Sequence, residues 1–462
     1  MELQRTISPV DGHVYVERPY ATHAEIDRAL GHAVEAQRGW RETSIPDRAR
    51  ICHAFADAFE KRRDTIAPEL TWQMGRPISV APGEVRGTLE RARFMIDAAA
   101  DALRDIEVGP KPGFTRFIRR EPLGVVLTIA AWNYPYLIAV NSVIPALMAG
   151  NAVILKHSAQ TPLCAEQFAA CFDDAALPPG LFQPLHLTHA DTERLIRDAR
   201  ISFIAFTGSV EGGHAIQRAA AARFVGTGLE LGGNDPAYVR PDVHFEHAVE
   251  NLVDGAFFNS GQSCCGIGRI YVHEALYGRF VEAFVELTQQ YRLGNPTEPG
   301  VNLGPVVRTQ AAQSIRRAVA QATHAGARSL IDERRFPASK ADTPYLAPQV
   351  LVDVRQDMPI MQEETFGPLV SIARVASDEE AIRLMNDSRF GLTASVWTAD
   401  EDAAIAIGRR IDTGTWFMNR CDYLDPALAW TGVKDSGRGC TLSVLGYEHL
   451  TRPKSFHLRT AT

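Results

Sequence analysis

Phe257-Phe258-Asn259-Ser260-Gly261-Gln262-Ser263-Cys264-Cys265-Gly266-Ile267-Gly268-Arg269 sets small and polar residues around a pair of cysteines. An apolar helical pattern precedes this stretch and an apolar strand pattern follows it. A thiol in such a turn lies on exposed backbone, within reach of a substrate. Taken singly, a cysteine is most often a small buried hydrophobe, and Cys265 keeps that reading. Around Cys264, however, Ser260, Gly261 and Ser263 offer no apolar wall. If Cys264 is a nucleophile, the chain must also hold a base and an oxyanion donor; a cofactor cradle would complete the set.

Outward from this turn the chain alternates between two textures. Gly124-Val-Val-Leu-Thr-Ile-Ala130, Asn151-Ala-Val-Ile-Leu-Lys156 and Ile201-Ser-Phe-Ile-Ala-Phe206 are continuous apolar runs, the pattern of strands buried on both faces. Helical patterns lie between them. A second set runs from about Glu246 to Asn419 and includes Arg269-Ile-Tyr-Val272, Leu369-Val-Ser-Ile-Ala373 and Thr393-Ala-Ser-Val-Trp397. Strands alternating with helices mean βαβ units and parallel sheets, hence an α/β fold. Leu231-Gly232-Gly233 is the natural boundary between the sets. Ahead of them, Thr22-x-x-Glu25 forms a capping box for an amphipathic helix. Further helix is expected from about Arg48 to Trp72 and Glu84 to Leu103. The short basic segment Gly113 to Arg120 reads as β-like, and the tail Lys454 to Arg459 alternates like a strand with no partner nearby in sequence.

The 462 residues exceed the range over which one core keeps growing, so two or more domains are expected. With 45% hydrophobic and 22% charged residues the composition is that of an ordinary globular protein. A net charge of −7 argues against nucleic acid and anionic membranes as partners. The N-terminal residues lack the apolar core of a secretory signal. No charge occurs between Glu121 and Lys156, but Pro122, Pro135 and Pro145 cut that tract into pieces shorter than the ~20 residues of a membrane span. The seven cysteines show no Cys-x-x-Cys, so neither a disulfide framework nor a metal site is expected. A working thiol suits a reducing, cytoplasmic compartment.

Three further features are candidates for the missing parts. Glu230, in Gly226-Thr-Gly-Leu-Glu-Leu-Gly-Gly233, is either a capping or surface carboxylate or a base at the carboxyl edge of a sheet, where open α/β sheets place their ligands. Asn133, in Ala131-Trp132-Asn133-Tyr134-Pro135, either holds its own loop or donates its amide to an oxyanion. Phe206-Thr207-Gly208-Ser209-Val210-Glu211-Gly212-Gly213 joins a strand to a helix. Such a helix start is fit for a pyrophosphate, although turns of this kind are common without ligands.

Together these pieces resemble the aldehyde dehydrogenase superfamily over almost the whole chain. The matching stretches are Trp132-Asn133-Tyr134-Pro135, Gly150-Asn151-x-x-x-x-Lys156, Phe206-Thr207-Gly208-Ser209, Glu230-Leu231-Gly232-Gly233, Gly261-Gln262-Ser263-Cys264, Glu364-Thr365-Phe366-Gly367-Pro368 and Gly432-x-Lys434-x-Ser436-Gly437. They occur in the family's order, with 34 residues from Glu230 to Cys264.

The resemblance implies a Rossmann-like cofactor domain (1–103 and 123–232), a second α/β catalytic domain (233–435) and a small β oligomerisation element (104–122 and 450–462). It implies oxidation of an aldehyde to the acid with NAD or NADP. Cys264 would be the nucleophile, Asn133 and the Cys264 amide the oxyanion holders, and Glu230 the base that releases the acid from a thioester. Gly208, Ser209 and Gly213 would meet the pyrophosphate, Lys156 the adenosine ribose and Glu364 the nicotinamide ribose, with Phe366, Trp132 and Leu231 around them. Ala159 stands where NAD-preferring members carry a glutamate, so no preference between NAD and NADP is implied. Asn141 stands where members acting on succinic semialdehyde carry an arginine, so an uncharged or cationic aldehyde is expected, walled by Tyr134 and Trp430. Asp422 is either a group favouring a cation or a solvated loop aspartate. The tail would add to a neighbouring subunit's sheet, in a homodimer by default or a homotetramer. A CoA-acylating relative, or a cofactor-free cysteine hydrolase, would be the alternatives; the presence of Glu230 favours hydrolysis over the first.

Overall fold

The computed structural model describes residues 2–461. The first group of apolar runs forms a six-stranded sheet in the order 437–438, 226–230, 201–207, 125–129, 152–156, 182–184. The strands between 125 and 230 all run parallel. Val125, Val126 and Leu127 are at most 1% exposed, as expected of a strand covered on both faces. The helix Pro135–Met148 covers this sheet; it begins at Pro135, runs through Pro145, and Gly150, with φ of 89°, turns the uncharged tract back into the strand Ala152–Lys156. No helix among the described residues is long and apolar enough to cross a membrane.

The second group forms a seven-stranded sheet, ordered 328–329, 349–352, 369–375, 267–273, 235–239, 393–397, 415–418. The chain passes from one sheet to the other between Glu230 and Asp235. Glu230 therefore ends the last parallel strand of the first sheet, and Cys264 lies just ahead of a central strand of the second, Ile267–His273.

The structure adds to or corrects the sequence reading in three places. The tail has a partner in its own chain: Thr451–Arg459 pairs antiparallel along its whole length with Phe114–Pro122, from Thr451 opposite Pro122 to Arg459 opposite Phe114. Phe117 and Phe456 stack across this pair at 4.5 Å. That partner lies more than three hundred residues away in sequence, so local pattern could not find it. The outer edge of Thr451–Arg459 is left unpaired. The helix expected from Arg48 to Trp72 is two, Ile45–Lys61 and Arg63–Met74, broken at Arg62 without a glycine or proline to signal it. The N-terminal residues, unassigned from sequence, form a hairpin of Leu3–Ile7 and Val14–Pro19.

Candidate active site

The cysteine turn is an unusual piece of backbone. The helix Phe245–Phe257 ends, and Asn259, Ser260 and Gly261 then take φ of 52°, 56° and 67°. Left-handed conformations at two non-glycine residues are strained, and side-chain bonds offset the strain. Asn259 donates to the Asn133 carbonyl at 3.1 Å, Ser260 to the Gly304 carbonyl at 2.8 Å, and the Gln262 carboxamide oxygen accepts from the Val307 amide at 2.7 Å. A Cβ at Gly261 would overlap the Gly367 carbonyl, so this position requires glycine. The turn delivers Cys264 half-buried to a cavity of about 260 Å³, which Glu230, Tyr134, Asn141, Trp430 and Asp422 also line. Cys265 borders the same cavity, contrary to the expectation that it would point elsewhere, but it is 2% exposed and its thiol donates to the Asp422 carboxylate at 3.0 Å. Its hydrogen bond with Cys264, together with burial, holds that thiol well above the usual range.

Glu230 is fixed by two hydroxyls. Thr441 Oγ1 donates to Oε1 at 2.6 Å and Thr207 Oγ1 to Oε2 at 3.2 Å. Burial raises the Glu230 carboxyl above the ordinary range, while these bonds and the Arg91 charge pull it the other way. Thr441 was not legible as part of the site. Nothing near it in sequence marks it, and it arrives because Gly437–Arg438 pairs antiparallel with the strand that ends in Glu230.

Asn133 is buried, and its amide donates to the Gln262 carbonyl at 3.2 Å, on the turn that carries Cys264. A second unforeseen pair supports it. Arg76 donates to the Asn133 carbonyl at 2.5 Å and to Asn259 Oδ1 at 3.2 Å, and forms a buried ion pair with Glu84. Glu84 in turn accepts from the Tyr136 amide at 2.8 Å, at the start of the helix Pro135–Met148, where a negative charge is favoured. Removing one partner of a buried pair costs about 3–5 kcal/mol. Glu84→Gln should therefore lower the urea midpoint of unfolding with an unchanged slope; an unmoved midpoint would show that the pair contributes nothing.

The residues that the resemblance assigns to a cofactor lie as follows. Ser209 caps the helix Val210–Ala220, accepting from the Gly212 amide at 3.1 Å, and the first two amides of that helix have no partner among the described residues. The Gly208 amide donates to the Glu230 carbonyl at 3.1 Å. A Cβ at Gly213 would lie 2.7 Å from the buried Leu231 side chain, so helix and strand approach closely there. Lys156 ends the strand Ala152–Lys156 without an ion-pair partner among the described residues, and burial pulls its ammonium down to about 8. With Ser158 and Ala159 it borders a cavity of about 760 Å³. Glu364 accepts from the Gly233 amide at 3.3 Å, and burial raises its carboxyl to about 8. Trp132 and Phe366 meet edge to face at 5.6 Å. An ammonium without a counter-charge and a helix start with unbonded amides fit a dinucleotide carrying phosphates.

In the cavity beside Cys264, Asp422 is not a solvated loop residue. It is partly buried and accepts from Ser263 Oγ at 2.6 Å as well as from Cys265. The larger correction concerns charge. Asn141 lines the cavity as expected, but a guanidinium reaches the same wall from the helix Pro82–Ala102: Arg91 donates to Asn141 Oδ1 at 3.2 Å. The cavity thus contains an arginine although position 141 is an asparagine.

Comparison with known proteins agrees with this geometry. The model of the aldehyde dehydrogenase family matches residues 2–456. A succinate-semialdehyde dehydrogenase [NADP(+)] 1 of Mycobacterium tuberculosis is 34% identical over 97% of this chain and 98% of its own. An aldehyde dehydrogenase of Paenarthrobacter nicotinovorans is 35% identical over 97% and 98%. Among solved structures, succinic semialdehyde dehydrogenase from Streptococcus pyogenes in complex with NADP+ superposes with a TM-score of 0.93 at 27% identity, covering 99% of this chain and all of its own. The chain belongs to the aldehyde dehydrogenase family. It is an oxidoreductase of the NAD(P)-dependent kind that this family comprises.

Proposed function

We propose that the protein oxidises an aldehyde to its carboxylic acid through a thioester on Cys264. The observation that carries this reading is that Cys264 and Glu230 face one cavity while Asn133 is bonded to the same turn. The Cys264 thiolate attacks the aldehyde carbon, and the Asn133 side-chain amide and the Cys264 backbone amide hold the resulting oxyanion. Lys156, Ser209 and Glu364 would hold a nicotinamide dinucleotide, which would supply the hydride acceptor needed to oxidise the adduct to a thioester. Glu230 then takes a proton from water, and the hydroxide displaces Cys264 as the leaving group, with Thr441 and Thr207 orienting the carboxylate.

In this reading residues 1–103 and 123–232 hold the cofactor, 233–435 carry the cysteine, and 104–122 with 450–462 form an assembly element. The unpaired edge of Thr451–Arg459 is a row of free backbone groups that a second copy would cover, which supports a homodimer, with a homotetramer as the alternative. The free cysteines suit a cytoplasmic setting. The test is a panel of aldehydes assayed with NAD and with NADP by absorbance of the reduced nicotinamide; no reduction with any aldehyde overturns it.

Ala159 gives a second measurement. It borders the same cavity as Lys156 and Ser158, and a carboxylate there would repel a ribose 2′-phosphate. Ala159→Glu should shift the ratio of kcat/KM toward NAD by about tenfold or more, since ~1.4 kcal/mol of differential repulsion suffices. An unchanged ratio would place the 2′-position of the cofactor elsewhere.

A further inference from the structure

The substrate cavity contains a charge that the reaction does not use. On the helix Pro82–Ala102, Glu84, Thr88, Arg91 and Met95 recur at helical spacing and all face inward. Arg91 is only 9% exposed. Its Nη1 donates to the Leu137 carbonyl at 3.1 Å and to Asn141 Oδ1 at 3.2 Å. Nε and Nη2 have no partner among the described residues, and Arg91 lines the cavity with Cys264 and Glu230. An arginine keeps its proton even when buried, so this is a fixed positive charge with two idle donors.

None of the cavity's carboxylates forms an ion pair with it. Glu230 is engaged by Thr441 and Thr207. Asp422 is bonded to Ser263 and Cys265. Glu90 is exposed at the rim and accepts from the Tyr423 hydroxyl at 3.2 Å, and Asp254 is exposed as well. Glu230 acts on the guanidinium only at a distance, and burying a charge without a bonded counter-charge is costly. A group that brings its own negative charge would remove that cost, and the adjacent Nε and Nη2 donors match the two oxygens of a carboxylate. Asn141 has a role here too. Its carbonyl oxygen turns the guanidinium, so the position that lacks an arginine orients one supplied from another helix.

We propose that Arg91 recognises the far end of the substrate, and that the substrate is a short aldehyde bearing a carboxylate opposite its carbonyl. The proposal rests on aldehyde oxidation at Cys264, and the cavity of about 260 Å³ limits the chain to a few carbons. Arg91 is a specificity-determining residue that binds substrate and takes no part in the bond changes.

The test compares 4-oxobutanoate with 4-methylpentanal, which has the same shape and no charge. Wild type should favour 4-oxobutanoate in kcat/KM. Arg91→Gln should reduce that preference about 10- to 100-fold, chiefly through KM, the range expected for charge-assisted hydrogen bonds. Arg91→Lys should recover part of it. In wild type, butanoate should compete with 4-methylpentanal and butanamide should not, a measurement that needs no variant. Equal loss of both substrates in Arg91→Gln, no preference in wild type, or butanoate no better than butanamide would each overturn the proposal. Failure of wild type to oxidise any aldehyde would instead overturn the reading of Cys264.

Discussion

Cys264→Ala should abolish formation of reduced nicotinamide from every aldehyde, a loss of at least about 10⁴-fold in kcat, as expected when a covalent nucleophile is removed. Cofactor binding should survive, because Lys156, Ser209 and Glu364 lie on other segments and none bonds to the thiol. Cys265 cannot stand in, since it is buried and bonded to Asp422. Dinucleotide titration by fluorescence alongside the absorbance assay separates the two effects. Residual turnover within a hundredfold of wild type would mean that another group attacks the aldehyde.

Glu230→Gln should give a different failure. The first half of the reaction needs Cys264 and the cofactor, so one burst of reduced nicotinamide per active site should appear. Steady-state turnover should then fall by about 10²–10⁴-fold, the usual worth of a general base, and acyl-enzyme should accumulate, visible as a mass increase on the chain. The pH profile carries the same signature. Burial raises the Glu230 pKa, and a base works only when deprotonated, so turnover is lost as pH falls through that raised value. The acid limb of kcat should lie above the ordinary glutamate value of about 4.3 and vanish in the variant. A normal steady state in Glu230→Gln would remove it as the base.

What could be read in advance follows from where the information lies in the chain. Strands such as Val125–Ile129 and Ala152–Lys156 declare themselves through continuous apolar runs, because a strand covered on both faces leaves no polar position. The cysteine turn was legible from its small and polar residues between an apolar helix and an apolar strand, although Ser260 and Ser263 are themselves buried. Arg91 was not. In the run Glu90-Arg91-Ala92-Arg93 it looks like one charge of a solvated face, and only the packing of its helix against Pro135–Met148 turns it inward. Thr441 and Arg76 were hidden for the same reason, since each meets its partner across a long separation in sequence. The tail's strand partner was hidden by distance as well.

The bond between Thr441 and Glu230 spans 211 residues, and the pairing of Gly437 with Glu230 spans nearly as many. The cysteine turn is likewise completed late: Asn259, Ser260 and Gln262 have their partners by residue 307, but Ser263 and Cys265 bond to Asp422. During translation the last anchors of the thiol turn and of the carboxylate, Asp422 and Thr441, are therefore made close together near the end of synthesis. A chain released short of residue 422 would lack an anchor at each of the two groups, so loading and discharge would be impaired together.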